Sequence, residues 1–555
     1  MNFFKKYSGW IIILLALVIR LLDGFRVPIY MDEIPLLYNI SHFISHKTLF
    51  PRHFGYPTFF SYLMFIPVVT LFVGYYLISG YPLSGLTDPQ WMQFLFDHKL
   101  SLIVFGGRFV SLFLSILTMI IVYFWAKKRY GLGTGLIAVC ILGLDPFGGH
   151  YVAFSRYALP EVTTAFLVTA GLLFCFEFLN NHQKEYLFLA SFLIGLATST
   201  KYNAGMAVIP LACVPFLVDK GRRWNVVLSS CGFFILGFVT GSPGWLINPN
   251  QFIQGYLSVN NLLTEGHIGD QGVDWLWIFA QIWQRDTYVL PIVFLTIGYA
   301  IYKHTREDIV FLLLIVPSFL YIGQLEKKSI HYFLFLYPIL SLFMGRTTAI
   351  IGRKLRIPIL RQFFVFLCLI LFFVNPLFRI SRMVYRDMIL DNRIAAERWI
   401  QKEIPDESVI LADPVIFRDL VDKDQALRDI KKIEFSGSHY LKEVKSYYEN
   451  RPFYYIRNIR NYWDNPNSFS ENPADYIVIS SSNYHRFFIQ DSSQIPDPES
   501  PLFRGYQIQK AFYQKIFSEG GHSLRLLRRF SGIAGPEVRI YQKQISAKNQ
   551  KIESG

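Results

Sequence analysis

The sequence predicts a polytopic α-helical membrane protein with one water-soluble α/β domain at its C-terminal end. Three observations predict it. Of 555 residues, 52% are hydrophobic and only 17% charged, with a mean hydropathy of +0.31; ordinary soluble domains carry about 25% charged residues. Apolar runs close to the ~20-residue spanning length recur from Trp10 to about Arg379. After that the chain turns polar and stays so. The expected partition is a membrane domain over residues 1–380 and an extracytoplasmic α/β domain over 381–555.

Composition also narrows the function. A net charge of +14 would suit nucleic acid in a soluble protein. In a membrane protein, basic residues mark short cytoplasmic loops, so no nucleic-acid partner is expected. All five cysteines (Cys140, Cys175, Cys213, Cys231, Cys368) lie in apolar segments. The soluble domain therefore needs no disulfide and has no zinc-ribbon spacing. The early run WIIILLALVIRLL lacks a small-residue cleavage site and reads as a retained first helix. Asn39-Ile40-Ser41 fits a glycosylation sequon, a pattern common by chance that here crowds an acidic pair.

The polar connectors set the topology. FFKKYSGW, AKKRYG, NHQKEY, DKGRRW, KHTRED and RTTAIIGRKLRIPILRQ are short and basic, which places them in the cytoplasm. The connectors between them then face outward, and so does the C-terminal domain. FFSYLMFIPVVTLFVGYYLISG breaks the parity, because a single crossing there would invert every later loop. It reads as a re-entrant or membrane-hugging helix, or as half of a hairpin with the stretch around Trp91. The alternative is a true crossing paired with a second, unseen one. About eleven crossings are expected.

On this topology Asp32 and Glu33 start the first outward loop, where carboxylates near hydrocarbon mark a functional cavity or a wet interface. The same face collects Arg52, His53, Arg108, Arg156, Glu161, Lys201, Tyr202, Lys327, Lys328 and His331. Outward cations defy the positive-inside bias. Any one of them could bind a lipid headgroup or close an internal salt bridge; the set fits a polar cavity for an anion such as a phosphate. Glu161 also fits an acidic first helical turn after Pro160. His267 and Asp270 stand in a Gly-rich loop that suits either an acceptor side or plain exposure, and Trp275 and Trp277 read as interfacial belt residues.

Several stretches now carry a resemblance. The Asp-Glu pair after helix one, RHFGYPTFFSYL with Tyr56, GGRFVSLFLSILTMIIVYFWAKKRYG and SRYALPE come first. GLATSTKYNAGMAVIPL, GSPGWLINPNQF, KKSIHYFLFLYPIL and DNRIAAERWIQKEIPDESVILAD follow. In order and spacing they resemble the GT-C membrane glycosyltransferases, the protein O-mannosyltransferases and aminoarabinose transferases (glycosyltransferase family 39-like). The resemblance implies a GT-C membrane domain and a polyprenyl-phosphate-linked sugar donor. It also implies a lipid, glycan or protein acceptor, and an active site on the outer face of a bacterial inner membrane. It carries a catalytic-base or acceptor-positioning role to Asp32, and a donor-phosphate role to Arg156 and Lys201. One departure stands out: aminoarabinose transferases carry a Lys before two prolines where this chain reads Gly55-Tyr56-Pro57-Thr58. The phosphate must then be held by other cations, and aminoarabinose is in doubt as the sugar.

The residues allow that chemistry. Displacement at an anomeric carbon needs a base for the acceptor proton, contributing ~10²–10⁴-fold, and positive groups on the leaving phosphate. Asp32 suits the first role; Arg156, Lys201, His331 or Lys327 suit the second. Neighbours on a helix point about 100° apart, so Asp32 and Glu33 are not expected to address one atom. Glu33 is expected to orient the loop or pair with a cation; a solvated helix cap is the bland alternative for the pair. No cofactor is called for, and no D-x-D motif argues for a divalent metal, which stays open. The C-terminal domain joins helical AAERWIQKEI to β-like SVILA, DYIVIS and VRIYQ. Two rival classes remain: a flippase or transporter of lipid-linked saccharides, which should show repeat symmetry, and a non-catalytic envelope scaffold.

Overall fold

The computed structural model describes residues 2–22, 30, 32–82, 84–85, 88–147, 149–218, 223–266, 276–286, 289–413, 420–462, 474–488, 495–496, 498–499, 501–518, 524–532 and 534–544. His267, Asp270 and Trp275 lie outside them. The chain divides into two units. The first holds nearly all of the chain up to Val384, and the second holds the rest together with Pro82–His98.

The first unit is helical. Its early elements are α1 (Asn2–Leu21), α2 (Glu33–Ser45), α3 (Phe59–Ile78), then α5 (Leu100–Tyr130), α6 (Leu132–Leu144), α7 (His150–Phe154), α8 (Pro160–Asn181) and α9 (Lys184–Thr198). α4 (Pro89–His98) falls in the second unit. Among the described residues, seven helices are long and apolar enough to cross a membrane: Phe59–Ile78, Leu102–Tyr130, Pro160–Asn181, Trp224–Gly241, Arg306–Gln324, Ile330–Lys354 and Pro358–Arg386. Four shorter apolar helices, Tyr7–Leu21, Leu132–Leu144, Tyr202–Leu217 and Val289–Lys303, accompany them.

α3 packs on the first part of α5 and runs opposite to it. A Cβ on Gly106 would sit 2.7 Å from Val68 Cγ2, and one on Gly107 would sit 2.8 Å from Met64 Cε. Only glycines permit that approach. Farther along, the Lys99 ammonium lies 5.3 Å from the Tyr75 ring centre. So as α3 runs forward from Phe60, it passes α5 residues of falling number. Its start is tied down by the Phe59 N–H, which donates to Ser199 O at 3.1 Å, and by Thr58, whose hydroxyl donates to Gly241 O at 2.9 Å.

Three of the basic connectors meet at the far end of α5. Arg129 pairs with Glu307 at 2.8 Å, and Arg353 donates to Tyr130 O at 2.9 Å. Arg346 pairs with the fully buried Asp308 and lies 4.5 Å over Phe343. Asp308 also closes a capping box with Thr305. AKKRYG, KHTRED and RTTAIIGRK therefore share one end of the bundle.

The second unit is built on a six-stranded sheet in the order β2-β3-β1-β4-β6-β5. β1 (Val409–Ala412), β2 (Val421–Asp422), β3 (Phe453–Asn458) and β4 (Tyr476–Ser480) are parallel; β6 (Val538–Lys543) runs antiparallel to β4 and to the edge strand β5 (Leu524–Phe530). SVILA, DYIVIS and VRIYQ supply β1, β4 and β6. The central strands read as continuous apolar runs because helices cover both faces; Leu411, Ile477, Ile479, Phe512 and Tyr513 fill one side, and Ala396, Ile400, Ile410 and Val478 the other. The Trp91 stretch is not the second arm of a membrane hairpin with α3. α4 belongs instead to this unit, where Trp91, 1% exposed, lies flat on Tyr440. Its apolar face is buried by aromatic rings of the C-terminal chain.

Candidate active site

Asp32 occupies the N-cap position of α2, and its side chain makes no capping bond. The neighbouring charges that act on it are Glu161, Lys327 and Lys201. Burial first, and Glu161 second, push the Asp32 carboxyl above the usual carboxylate range; Lys327 and Lys201 pull it back.

Glu33 points elsewhere, as the helical offset requires. It is 0% exposed and grips Arg108, Nε to Oε1 at 3.0 Å and Nη2 to Oε2 at 2.8 Å. Backbone N–H groups of Ala158 (2.6 Å) and Tyr30 (2.7 Å) complete its shell. Four donors occupy its two oxygens, so Glu33 pins α2 to α5 and to the turn before α8. Arg108 is spent on the same pair; its guanidinium stands 5.5 Å over the Tyr157 ring.

Glu161 follows Pro160 in the first turn of α8 and is 4% exposed. Its Oε1 accepts from Lys201 Nζ at 2.7 Å and lies 3.9 Å from His331 Nε2. Its Oε2 is buried and, among the described residues, has no hydrogen-bond partner. His331 is fixed by Ser329 Oγ on Nδ1 (2.6 Å) and by stacking on Phe154, centroids 5.0 Å apart. Lys201 Nζ stands 5.2 Å from the Tyr332 ring centre. The Tyr56 hydroxyl joins the group: burial, then Asp32 and Glu161, push it well above its ordinary value, so it stays a donor.

The remaining candidates are placed around this group. Lys327 and Lys328 are half-buried, and Lys327 is held through its backbone N–H on Leu263 O at 3.1 Å. Tyr202 turns its ring edge-on to Tyr256 at 5.0 Å, and its hydroxyl is buried and, among the described residues, has no hydrogen-bond partner. Arg156 is 4% exposed and donates Nη2 to Leu22 O at 3.0 Å, bracing the end of α1. Arg52 and His53 are exposed and act on His42, beside His46. Their backbone N–H groups share Asn39 Oδ1 at 3.0 and 2.9 Å, which commits the buried side chain of the would-be sequon.

Sequence reasoning did not single out Tyr30, Phe154, Tyr157, Asn203 or Tyr332. Tyr30 stacks with Tyr157 at 5.2 Å, and Asn203 Nδ2 donates to Tyr332 O at 2.8 Å. The available signal was their place inside YMDE, SRYALPE, TKYN and SIHYF. Among the described residues, no three of His, Cys, Asp and Glu gather as a metal site needs.

The arrangement resembles known proteins. Residues 90–246 match the family model of the dolichyl-phosphate-mannose-protein mannosyltransferases. The apo structure of ArnT from Cupriavidus metallidurans superposes with a TM-score of 0.51, covering 88% of this chain and 96% of that one at 11% identity. The apo oligosaccharyltransferase of Archaeoglobus fulgidus gives 0.52, covering 100% and 82% at 11% identity. This is the GT-C glycosyltransferase fold. A further GT-C structure, ArnT bound to undecaprenyl phosphate, matches at TM-score 0.51 and 10% identity over 96% of this chain and 98% of that one. In sequence, an uncharacterised protein of Aquifex aeolicus (strain VF5) is 28% identical over 162 residues, 28% of this chain. That match spans 32% of the relative's own length.

Proposed function

We propose that this protein is an inverting glycosyltransferase that moves a sugar from a polyprenyl-phosphate donor to an acceptor hydroxyl or amine at the outer face of the membrane. The observation that carries the reading is the meeting of Glu161, Lys201 and Lys327 around Asp32, with the Tyr56 hydroxyl beside the two carboxylates. Asp32 takes the acceptor proton as the new bond to the anomeric carbon forms. The bond from that carbon to the phosphate oxygen breaks, and its electron pair leaves with the phosphate. Lys327 and Lys201 stabilise that charge, which a preorganised cation does without reorganisation cost. Glu161 holds Lys201 through one oxygen and offers the other to the sugar or acceptor.

Two things support it. ArnT was solved bound to undecaprenyl phosphate, and AglB from Archaeoglobus fulgidus, matching at TM-score 0.50, with a dolichol-phosphate and an inhibitory peptide. The Glu33 pin on Arg108 lies two turns into α5, and the helix from there to Arg129 runs about 30 Å at about 1.5 Å per residue. That is one hydrocarbon core of about 30 Å. The basic connectors at the far end then fall in the cytoplasm, and the Asp32 group opposite them faces out, in a bacterial inner membrane. α3, which runs alongside the start of α5, then stays on the outer side.

A glycolipid and glycan profile of cells with and without the gene tests the reading. Loss of one glycosylated species, restored by the wild-type gene and not by Asp32→Asn, is expected. Identical profiles would remove the transferase reading.

A further inference from the structure

Residues 82–98 separate α3 from α5 in sequence, yet α4 is built into the C-terminal unit. The Trp91 and Tyr440 rings lie 4.4 Å apart with 8° between their planes. Phe94 meets Tyr447 and Tyr448 edge-on at 5.5 and 5.9 Å. The last residue of α4, His98, ends this contact in a polar chain. Its Nδ1 lies 2.8 Å from Phe94 O, and its Nε2 lies 2.9 Å from the Tyr448 hydroxyl. That hydroxyl donates to Asp429 Oδ2 at 2.7 Å.

Counting protons constrains the chain. A carbonyl oxygen only accepts, so Nδ1 must carry a proton. A phenol has one proton to give. If Tyr448 gives it to Asp429, Nε2 must donate as well, and His98 is an imidazolium. If Tyr448 gives it to Nε2, Asp429 must bring a proton of its own. Either way, the chain closes only while it holds one proton more than a neutral imidazole and an ionised carboxylate have between them.

We propose that His98, Tyr448 and Asp429 form a proton-dependent latch that fixes residues 82–98 to the C-terminal domain. The latch stands without the glycosyltransferase reading.

Among the described residues, two elements besides α4 bring charged and titratable groups to His98. The helix Lys423–Phe435 presents Asp429, whose other oxygen accepts from Gln425 at 2.8 Å. The helix Leu441–Glu449 presents Tyr447, 4.6 Å from the His98 ring, and Tyr448; beyond it Arg451 stacks on Tyr447 at 4.3 Å. The latch is closed at low pH and loses a link as pH rises through the imidazole range.

Hydrogen exchange of the intact protein in nanodiscs tests this, reading the amides of 89–98 at pH 5.5 and 8 after correction for intrinsic rates. Protection about tenfold higher at pH 5.5 is expected, the scale of one bond to a charged group. Tyr448→Phe keeps the ring and removes the hydroxyl, so its protection should be low at both values. Asp429→Asn gives the opposite result: its amide donates to the Tyr448 oxygen, the phenol donates to neutral Nε2, and the latch stays closed at pH 8. Equal protection at both pH values in the wild type, or wild-type pH dependence in either variant, would overturn the proposal. Amides of β1 and β4 report whether each variant is folded, and a variant that loses their protection leaves the decision to the other. No substrate is involved, so failure here is separate from failure of the transferase reading.

Discussion

Glu33 and Arg108 form a two-pronged ion pair in which neither side chain is more than 1% exposed. Breaking such a pair from one side strands a buried charge, at a cost of about 3–5 kcal/mol. Glu33→Gln should therefore lower the unfolding temperature strongly. Arg108→Lys should not rescue it, because an ammonium cannot reproduce the planar fork. Thermal unfolding of the purified variants checks this. A Glu33→Gln protein that melts like wild type but does not turn over would return Glu33 to the chemistry.

Lys327 and Arg156 separate two kinds of cation. Lys327→Ala should weaken donor use by about 1.5–3 kcal/mol, the scale of a lost charge-assisted contact, with little change in melting. Arg156→Ala removes the bond to Leu22 O and should lower stability more than donor affinity. Donor titrations beside melting curves distinguish the two. The reverse pattern would move the phosphate site toward α1.

The pH dependence of transfer follows from the Asp32 surroundings. Burial and Glu161 hold its carboxyl above the usual range, so kcat/KM should rise with pH along a limb displaced upward from about 3.9. Glu161→Gln removes a like charge and frees Lys201, so the limb should move to lower pH. Lys327→Ala removes a favourable charge and should move it higher. A limb unchanged in both variants would mean that another group is titrating.

Asp413 closes β1 against β4: it accepts from Ser480 N–H at 2.6 Å and from the Tyr513 hydroxyl at 2.8 Å. Burial pushes its carboxyl up to about 6. The folded domain thus holds this proton more tightly than the unfolded chain does. Its contribution is complete below about pH 4 and is lost as pH rises through about 6, on the order of 3 kcal/mol in all. Asp413→Asn should flatten that window. Denaturant-dependent exchange of the β1 and β4 amides across pH 4–7 measures it.

These cases also show what the sequence could reveal. β1, β4 and β6 were legible because buried central strands are continuous apolar runs. β5, LRLLRRF, was not, because an edge strand tolerates three arginines, one of which, Arg529, pairs with the neighbouring Glu537. The divergence of Asp32 and Glu33 followed from helical geometry alone. The partners did not: Arg108 is brought to Glu33 across 75 positions, and Lys201 to Glu161 across 40. Pairings of that kind depend on helix packing, which residue types do not encode locally. Arg52 and His53 match the expected cations in type, yet Asn39 fixes them beside His42. α4 misled for a related reason: an aromatic face reads the same whether lipid or Tyr440 covers it.

The central claim is that Asp32 is the base. Asp32→Asn keeps the shape of the side chain and removes its ability to take a proton. The direct measurement is single-turnover transfer from a polyprenyl-phosphate sugar by this variant, with donor binding measured in parallel. The account predicts turnover reduced by roughly 10²–10⁴-fold with donor affinity retained. Near-normal turnover, or a loss of donor affinity equal to the loss of rate, would contradict it.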